Sequence, residues 1–447
     1  MSDDQDIQAQ QSQLSDLVEQ IIEEAKSQGA DQCEVSVSSD TGLAVSVRKG
    51  ELEQIEYNQD KGFGITVYVG QRKGSASTTD SSIKAIKETV AAAKNIARFT
   101  EEDDCSGLAP AQLMPTQKLD LDLYHPWSVT AEEATEHALL CEQTALAHDE
   151  RLTNSDGAQV TAQQSVRVYG NSHGFVGAYA GTRQGLSCVV IGQDEQGMQR
   201  DYWYTVARKA QDLEAAAAVG EKAAQRTIAR LSPKKGPTGT YPVLYSAQVA
   251  SGLFGHLIGA ISGGALYRKA SFLVDSLGTQ VMPAWLSLIE RPHLTGALGS
   301  AYFDSDGVAT SEKAFIDQGC VANYVLAHYS AQKLGMQSTG NSGGVYNLDV
   351  EGPAVAFEQL LKDLGTGLYV TELMGQGING VTGDYSRGAA GFWVENGEIA
   401  YPVAELTIAG NLKDMYQNIV ALGDDKDYRN NVRAPSVLIS EMTLAGE

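Results

Sequence analysis

The chain has 447 residues, enough for two or three domains with sizeable buried cores. Its 33 Lys plus Arg stand against 56 Asp plus Glu, a formal charge of −23. With no long basic run, this balance argues against direct nucleic-acid binding and against docking on an anionic membrane.

Residues 1–12 read as a disordered tail. Leu14, Leu17, Val18, Ile21, Ile22 and Ala25 then fall at helical spacing, with Gly29 where a glycine would end the helix. Cys33, Val35 and Val37, then Leu43, Val45 and Val47, alternate as two strands. Phe63, Ile65, Val67 and Val69 make a third, turning through Gln71–Gly74 into Ser75-Ala76-Ser77. The spacing predicts a helix over Ser82–Arg98, a polar linker over about 101–126, and an acidic helix over Ala131–Ala147. Strands return over Arg151–Ala207, with breaks at Asp156-Gly157, Gly170–Gly174 and Glu195–Gly197, before a helix over Leu213–Leu231.

Ser232-Pro233-Lys234-Lys235-Gly236-Pro237 is the strongest break in the chain. It divides an N-terminal α+β domain, 13–235, from a C-terminal domain, 236–447, expected to be mostly antiparallel β. Grouped rather than alternating strands and helices favour α+β: N-terminal helices packed on antiparallel strands, then a mainly β domain. The second half holds one clear hairpin, Phe392–Val403 around Asn396-Gly397, whose two central residues suit a type I′ turn. Ile316–Val321 resembles a second.

Between Gly236 and Tyr267 there is no Asp, Glu, Lys or Arg. The stretch is too rich in Gly, Ser and Thr for a membrane span and reads as a buried helix. Val249, Leu253, Leu257 and Ile261 form one apolar stripe. Gly255, Gly259 and Gly263 form another, expected to let a second backbone approach closely.

Two short motifs fail on context. Gly375-Gln376-Gly377-Ile378-Asn379-Gly380 fits G-x-G-x-x-G, but a dinucleotide site needs a helix after it, and Val381–Gly388 is rich in turns. Gly340-Asn341-Ser342-Gly343-Gly344 fits G-x-S-x-G without the strand and helix of a nucleophile elbow. The five cysteines are widely spaced, which disfavours a disulfide framework or a zinc ribbon. No two of the seven histidines share a helical turn, so a local zinc pair is absent. The acidic, polar N-terminus is unlike a signal peptide, and a cytoplasmic location is expected.

Several segments together resemble the PmbA/TldD (TldD/TldE) family, whose members have been labelled modulators of DNA gyrase, and most of all its PmbA (TldE) branch. They are Gly62–Val69 running to Ser75–Thr78, Asp304-Ser305-Asp306-Gly307, Ser338-Thr339-Gly340-Asn341, Thr382-Gly383-Asp384-Tyr385-Ser386 and Ala409-Gly410-Asn411-Leu412. The resemblance covers nearly the whole chain. It implies a heterodimeric zinc metalloprotease of which the TldD branch carries H-E-x-x-x-H, a later Arg-Lys pair and a distal Cys. Here Arg268-Lys269 matches the pair. Counting back places Gly255 at the first His, His256 at the Glu and Ala260 at the second His. No Cys follows Cys320, and Tyr428-Arg429-Asn430-Asn431 occupies roughly the distal position.

The resemblance therefore implies a metal-free, non-catalytic subunit without a cofactor of its own, with zinc in a TldD-type partner. The expected substrates are unfolded peptides such as microcin precursors and antitoxins, and a homodimer is open when the chain is isolated. Neither nucleic acid nor membrane is an expected partner. Gly340, Asn341, Gly383, Asp384, Ser386, Gly410 and Asn411 are motif positions without an assigned role. An independent hydrolase using Ser342 or a dispersed metal site, and a binding protein without proteolysis, are the alternatives.

Overall fold

A computed structural model describes residues 2–446. Helix α1 (Ser2–Ser27) occupies the segment expected to be a disordered tail, which corrects that expectation: the helix begins far ahead of its apolar stripe. Strands β1 (Gln32–Arg48), β2 (Glu51–Val69) and β3 (Arg72–Thr78) follow, then α2 (Ile83–Phe99) and α3 (Ala131–Ala147). Next come β4 (Leu152–Asn171), β5 (Val176–Asp194), β6 (Gly197–Ala207) and α4 (Ala216–Ala229). The two short strands read from 33–37 and 43–47 are one continuous strand, because Ser38–Gly42 stays paired to both β2 and β4. The break at Asp156-Gly157 is a bulge inside β4, with Gly157 at φ +108°.

These strands form one antiparallel sheet in the order β3-β2-β1-β4-β5-β6. Its apolar face is covered at one end by α1 and α2, over Val35, Val37, Phe63 and Ile65. At the other end α3 and α4 cover Val45, Val47, Val160 and Val190. α2 begins where Ser82 accepts the Ala85 N–H, and α3 where Thr130 and Glu133 cap each other reciprocally. The opposite face of β1 and β2 carries Ser36, Ser38, Gly62 and Gly64.

The linker over 101–126 is mostly irregular and exposed at 116–120, yet it is pinned to the fold at a few buried apolar residues. Leu121 and Leu123 are buried with Tyr169, Tyr302 and Phe303, and Met114 with Val308. Its carbonyls accept backbone N–H groups from both halves: Leu123 from Thr182, Leu121 from Gly296 and Leu113 from Ala309.

The second half opens with β7 (Lys234–Lys235), β8 (Gly239–Tyr245), α5 (Ala247–Ala260) and α6 (Gly263–Tyr267). The uncharged stretch is thus a strand and two short helices, not one buried helix. Among the described residues no helix is long and apolar enough to cross a membrane. Then come β9 (Ser287–Glu290), β10 (Lys313–Asp317), β11 (Cys320–Val321), α7 (His328–Lys333), β12 (Leu348–Glu351), β13 (Ala354–Val355) and α8 (Phe357–Leu364). The chain closes with β14 (Gly367–Met374), β15 (Asp384–Glu395), β16 (Glu398–Asn411), α9 (Leu412–Gln417), β17 (Ile419–Gly423), β18 (Val432–Arg433) and β19 (Val437–Ala445).

A five-stranded sheet runs β11-β10-β9-β12-β18, and an eight-stranded one β13-β17-β19-β8-β14-β15-β16-β7. Because β16 also pairs with β19, strands β19, β8, β14, β15 and β16 form a closed circuit. Both expected hairpins are present, with Asn396 and Gly397 at φ 54° and 80° and Gln318 and Gly319 at 47° and 79°. The whole is α+β, with a mainly β second half.

Candidate functional site

Helix α5 leaves β8 at Ser246 and buries Ala250, Leu253, Phe254, Leu257 and Ala260 in the main C-terminal core. The Tyr416 hydroxyl donates to the Leu253 carbonyl at 2.8 Å and holds the helix against α9. The apolar stripe is as expected; the glycine stripe is not. Gly252, Gly255 and Gly259 are exposed, and a Cβ built at any of them meets nothing within 4 Å. Only Gly263, already in α6, is packed closely, with Ser330 Oγ 2.2 Å from its would-be Cβ. The expectation of a tightly closed glycine face is therefore corrected: three residues on one side of α5 present bare backbone to open space.

His256 stands beside this face, half-buried, its ring 6.2 Å from that of Tyr385 on β15. Burial, and next the Arg387 charge, hold its pKa below the ordinary histidine value. The neighbouring loop carries the motif residues of β15 and β16. Asn411 Nδ2 donates to Asp384 Oδ1 at 3.1 Å and to the Thr382 carbonyl, while Thr382 Oγ1 donates to Asp384 Oδ2 at 2.6 Å. Gly383, at φ +86°, would put a Cβ 3.0 Å from Asn411 Oδ1. Gly410 pairs with Tyr385 and packs on Met415, and Ser386 lies opposite Ala409.

The segment after Arg268 and Lys269, both exposed, joins this loop through the Phe272 N–H on the Gly380 carbonyl. In the G-x-G-x-x-G stretch, Gly377 lies so close to β15 that a Cβ would fall 1.8 Å from the Ser386 carbonyl oxygen. The loop folds back on the sheet and opens no helix.

Gly340 and Asn341 lie elsewhere, at the junction of the two halves. Gly340 has φ +72° and faces the Ala309 carbonyl. Asn341 Nδ2 donates to the buried Glu290, which Lys313 also meets at 2.6 Å. Ser342 spends its hydroxyl proton on Asp306 at 2.8 Å, and its N–H on Asp304 at 2.8 Å. That is the geometry of a loop clasp, not of a serine aimed at an imidazole base. The Asp304 carboxyl is pushed up to about 7, by burial first and then by the Asp306 charge. Across the junction Glu34, whose carboxylate accepts from the Tyr68 and Tyr169 hydroxyls, is also raised by burial. Beside them, a cavity of about 860 Å³ separates the Ser and Gly face of β1 and β2 from Phe303, Asp304 and Ser305. The sequence motifs thus converge on two places, the open face of α5 and this junction.

The donor set of α5 does not fit a zinc ion. Gly255 and Ala260 offer no side-chain ligand atom, and His256 stands between them alone. No group of three or more His, Cys, Asp or Glu able to hold a metal exists among the described residues. Tyr428–Asn431, near the implied distal ligand, is engaged in structure: Arg429 is clamped on Asp427, Trp203 and Tyr204.

Three models of the PmbA/TldA metallopeptidase, for domain 1, the central domain and the C-terminal domain, match residues 33–97, 124–231 and 238–446. The chain belongs to the PmbA/TldD family. It is 51% identical over 443 residues to Metalloprotease PmbA of Escherichia coli O157:H7, covering 99% of this chain and 98% of that one. It is 48% identical to the Metalloprotease PmbA homolog of Haemophilus influenzae, covering 98% of both, and 21% identical to that organism's Metalloprotease TldD homolog, covering 85% and 82%. A solved structure from Bacteroides thetaiotaomicron, named as a candidate modulator of DNA gyrase, superposes with a TM-score of 0.92 at 28% identity over 97% of this chain and 98% of that one.

Two residues that line a cleft with the first turn of α5, Arg387 and Thr371, carry no signal in the sequence. Arg387 directly follows the Thr382–Ser386 motif, and Thr371 sits at a bulge in β14. Neither belongs to a spacing that signals chemistry.

Proposed function

We propose that this chain is the metal-free subunit of a cytoplasmic two-chain metallopeptidase of the PmbA/TldD type. A TldD-type partner supplies the zinc, and unfolded peptides, such as microcin precursors or antitoxins, are the substrates. The observation that carries this reading is α5, where, in the register that the family resemblance implies, Gly255 and Ala260 stand at the ligand positions and offer no side-chain donor. Its exposed side stays bare, as suits a wall of a peptide chamber. Ser342, bonded to Asp306, gives no support to an independent serine hydrolase. The test is affinity capture of a TldD-type subunit with this chain, followed by zinc analysis and peptidase assay of each chain and of the pair. The expected result is zinc and catalysis in the partner, with activity on unfolded peptide raised by this chain. Stoichiometric zinc and chelator-sensitive cleavage in this chain alone would overturn it.

A further inference from the structure

Under the first turn of α5, between the two halves of the chain, lies a cleft of about 320 Å³. It falls in the size range of small-ligand sites. Three guanidinium groups line it: Arg226 from α4, Arg230 at the end of that helix and Arg387 from β15. Its two carboxylates are already engaged. Asp201 meets Arg226 at 3.2 Å and Arg230 at 3.5 Å, and Glu372 pairs with Arg230. Arg387 meets no carboxylate among the described residues. It interacts with the Tyr385 hydroxyl, and its Nε is buried without a hydrogen-bond partner in the protein.

Thr371 is 9% exposed, and its Oγ1 is buried and also lacks a partner. Thr371 lines this same cleft and occupies the β14 bulge, a device that re-aims a side chain. A buried hydroxyl and a buried guanidinium N–H left unsatisfied are costly in a folded protein unless a ligand or water completes them. Among the lining residues the surplus charge is one cation, Arg200 behind them adds a further contact to Glu372 at 4.0 Å, and the first turn of α5 adds a partial positive charge. A single carboxylate balances that surplus, whereas a polyanion would meet the repulsion of a chain carrying −23. Gly252 lines the cleft, and Gly255 and Gly259 continue from it along the bare side of α5. A backbone attached to the carboxylate can therefore lie on that helix without meeting side chains.

We propose that this cleft binds the carboxylate of a peptide laid along the glycine face of α5, held by Arg387 and the Thr371 hydroxyl. The inference rests on the peptide-handling role proposed above. It is tested on the full chain by ligand-observed NMR with three short probes: acetylated tetra-alanine with a free C-terminus, its C-terminal amide, and an amidated alanine peptide with one central Glu. At least one carboxylate-bearing probe should bind about tenfold more tightly than the amide, the effect of one charge-assisted contact. Which one does so separates a terminal from a side-chain carboxylate. Arg387→Gln should abolish the preference. Thr371→Val should weaken it without lowering the thermal midpoint, because the hydroxyl it removes has no protein partner. Equal binding of all three probes, or a preference that survives Arg387→Gln, would overturn the proposal. If the chain pairs with a TldD-type subunit but shows no preference, only the carboxylate site falls. If the preference is present but pairing is not, only the subunit reading falls.

Discussion

The guanidinium carbon of Arg429 lies 4.4 Å from the ring centroid of Trp203, joining a loop of the second half to β6 of the first. It is equally close to Tyr204, donates to the Tyr204 carbonyl at 2.9 Å, and grips Asp427 through two bonds of 2.8 and 2.9 Å. Asp427 is buried. Arg429→Ala would leave that carboxylate uncompensated and should cost about 3 kcal/mol. Arg429→Lys, which loses the fork and the stacking plane, should cost roughly 1–2 kcal/mol. Urea unfolding curves of the two variants check the order.

The glycines of α5 and α6 should behave in opposite ways. Gly259→Ala puts a methyl into open space on a helix and should stabilise by about 0.5–1 kcal/mol. Gly259→Leu should fold without overpacking, and should lower partner-dependent peptidase activity if the bare face is where substrate or partner lies. Gly263→Ala meets Ser330 and should destabilise by roughly 1–3 kcal/mol. Thermal midpoints of the variants compare the two environments directly.

Asp304 gives the fold a pH dependence of known sign. Its folded pKa of about 7 lies above the ordinary value of 3.8, so the folded state holds the proton more tightly than the unfolded one. Its contribution is fully present below about pH 4 and is lost as pH rises toward 7. Glu34 is raised as well, and acts in the same direction. Glu34→Gln keeps an acceptor for one of the Tyr68 and Tyr169 hydroxyls and turns an amide donor toward the other, while removing the charge. It should stabilise the chain at pH 8, on the order of 1 kcal/mol, and flatten the slope of stability against pH. Denaturation at a series of pH values measures both.

His256 has the opposite linkage. Its folded pKa is lowered by burial and by Arg387, so the folded state binds its proton more weakly, and its stabilising effect is lost as pH falls below about 6.5. His256→Gln should soften that acid-side loss. It should also leave partner-dependent peptidase activity largely intact, because no proton transfer is assigned to the ring. A complex that assembles normally with His256→Gln but cleaves nothing would refute this.

Local chemistry in the sequence determined much of this protein. Ser82 and Thr130 start helices because their hydroxyls reach N–H groups three residues on. Asn396-Gly397 turns a hairpin because both residues reach positive φ. The alternation of Val35 and Val37, and of Val45 and Val47, marks a face to be buried. The absence of ligand atoms at Gly255 and Ala260 is likewise a fact of composition, readable once the motif register is set.

What lies beyond local reach was decided by tertiary structure. Periodicity says that two stretches are strands but not that polar Ser38–Gly42 joins them, since that depends on having β2 and β4 on both sides. It gives no hint that the 101–126 segment is a strap pinned to the fold, because its few apolar residues are buried by partners far along the chain. The glycines of α5 looked like a packing stripe, since a glycine's sequence records the lack of a side chain and not what faces the gap. Arg387 and Thr371 meet in one cleft only because β14 carries a bulge and lies beside β15. The chemistry of that cleft depends on which side chains are left without partners, a property of the assembled molecule.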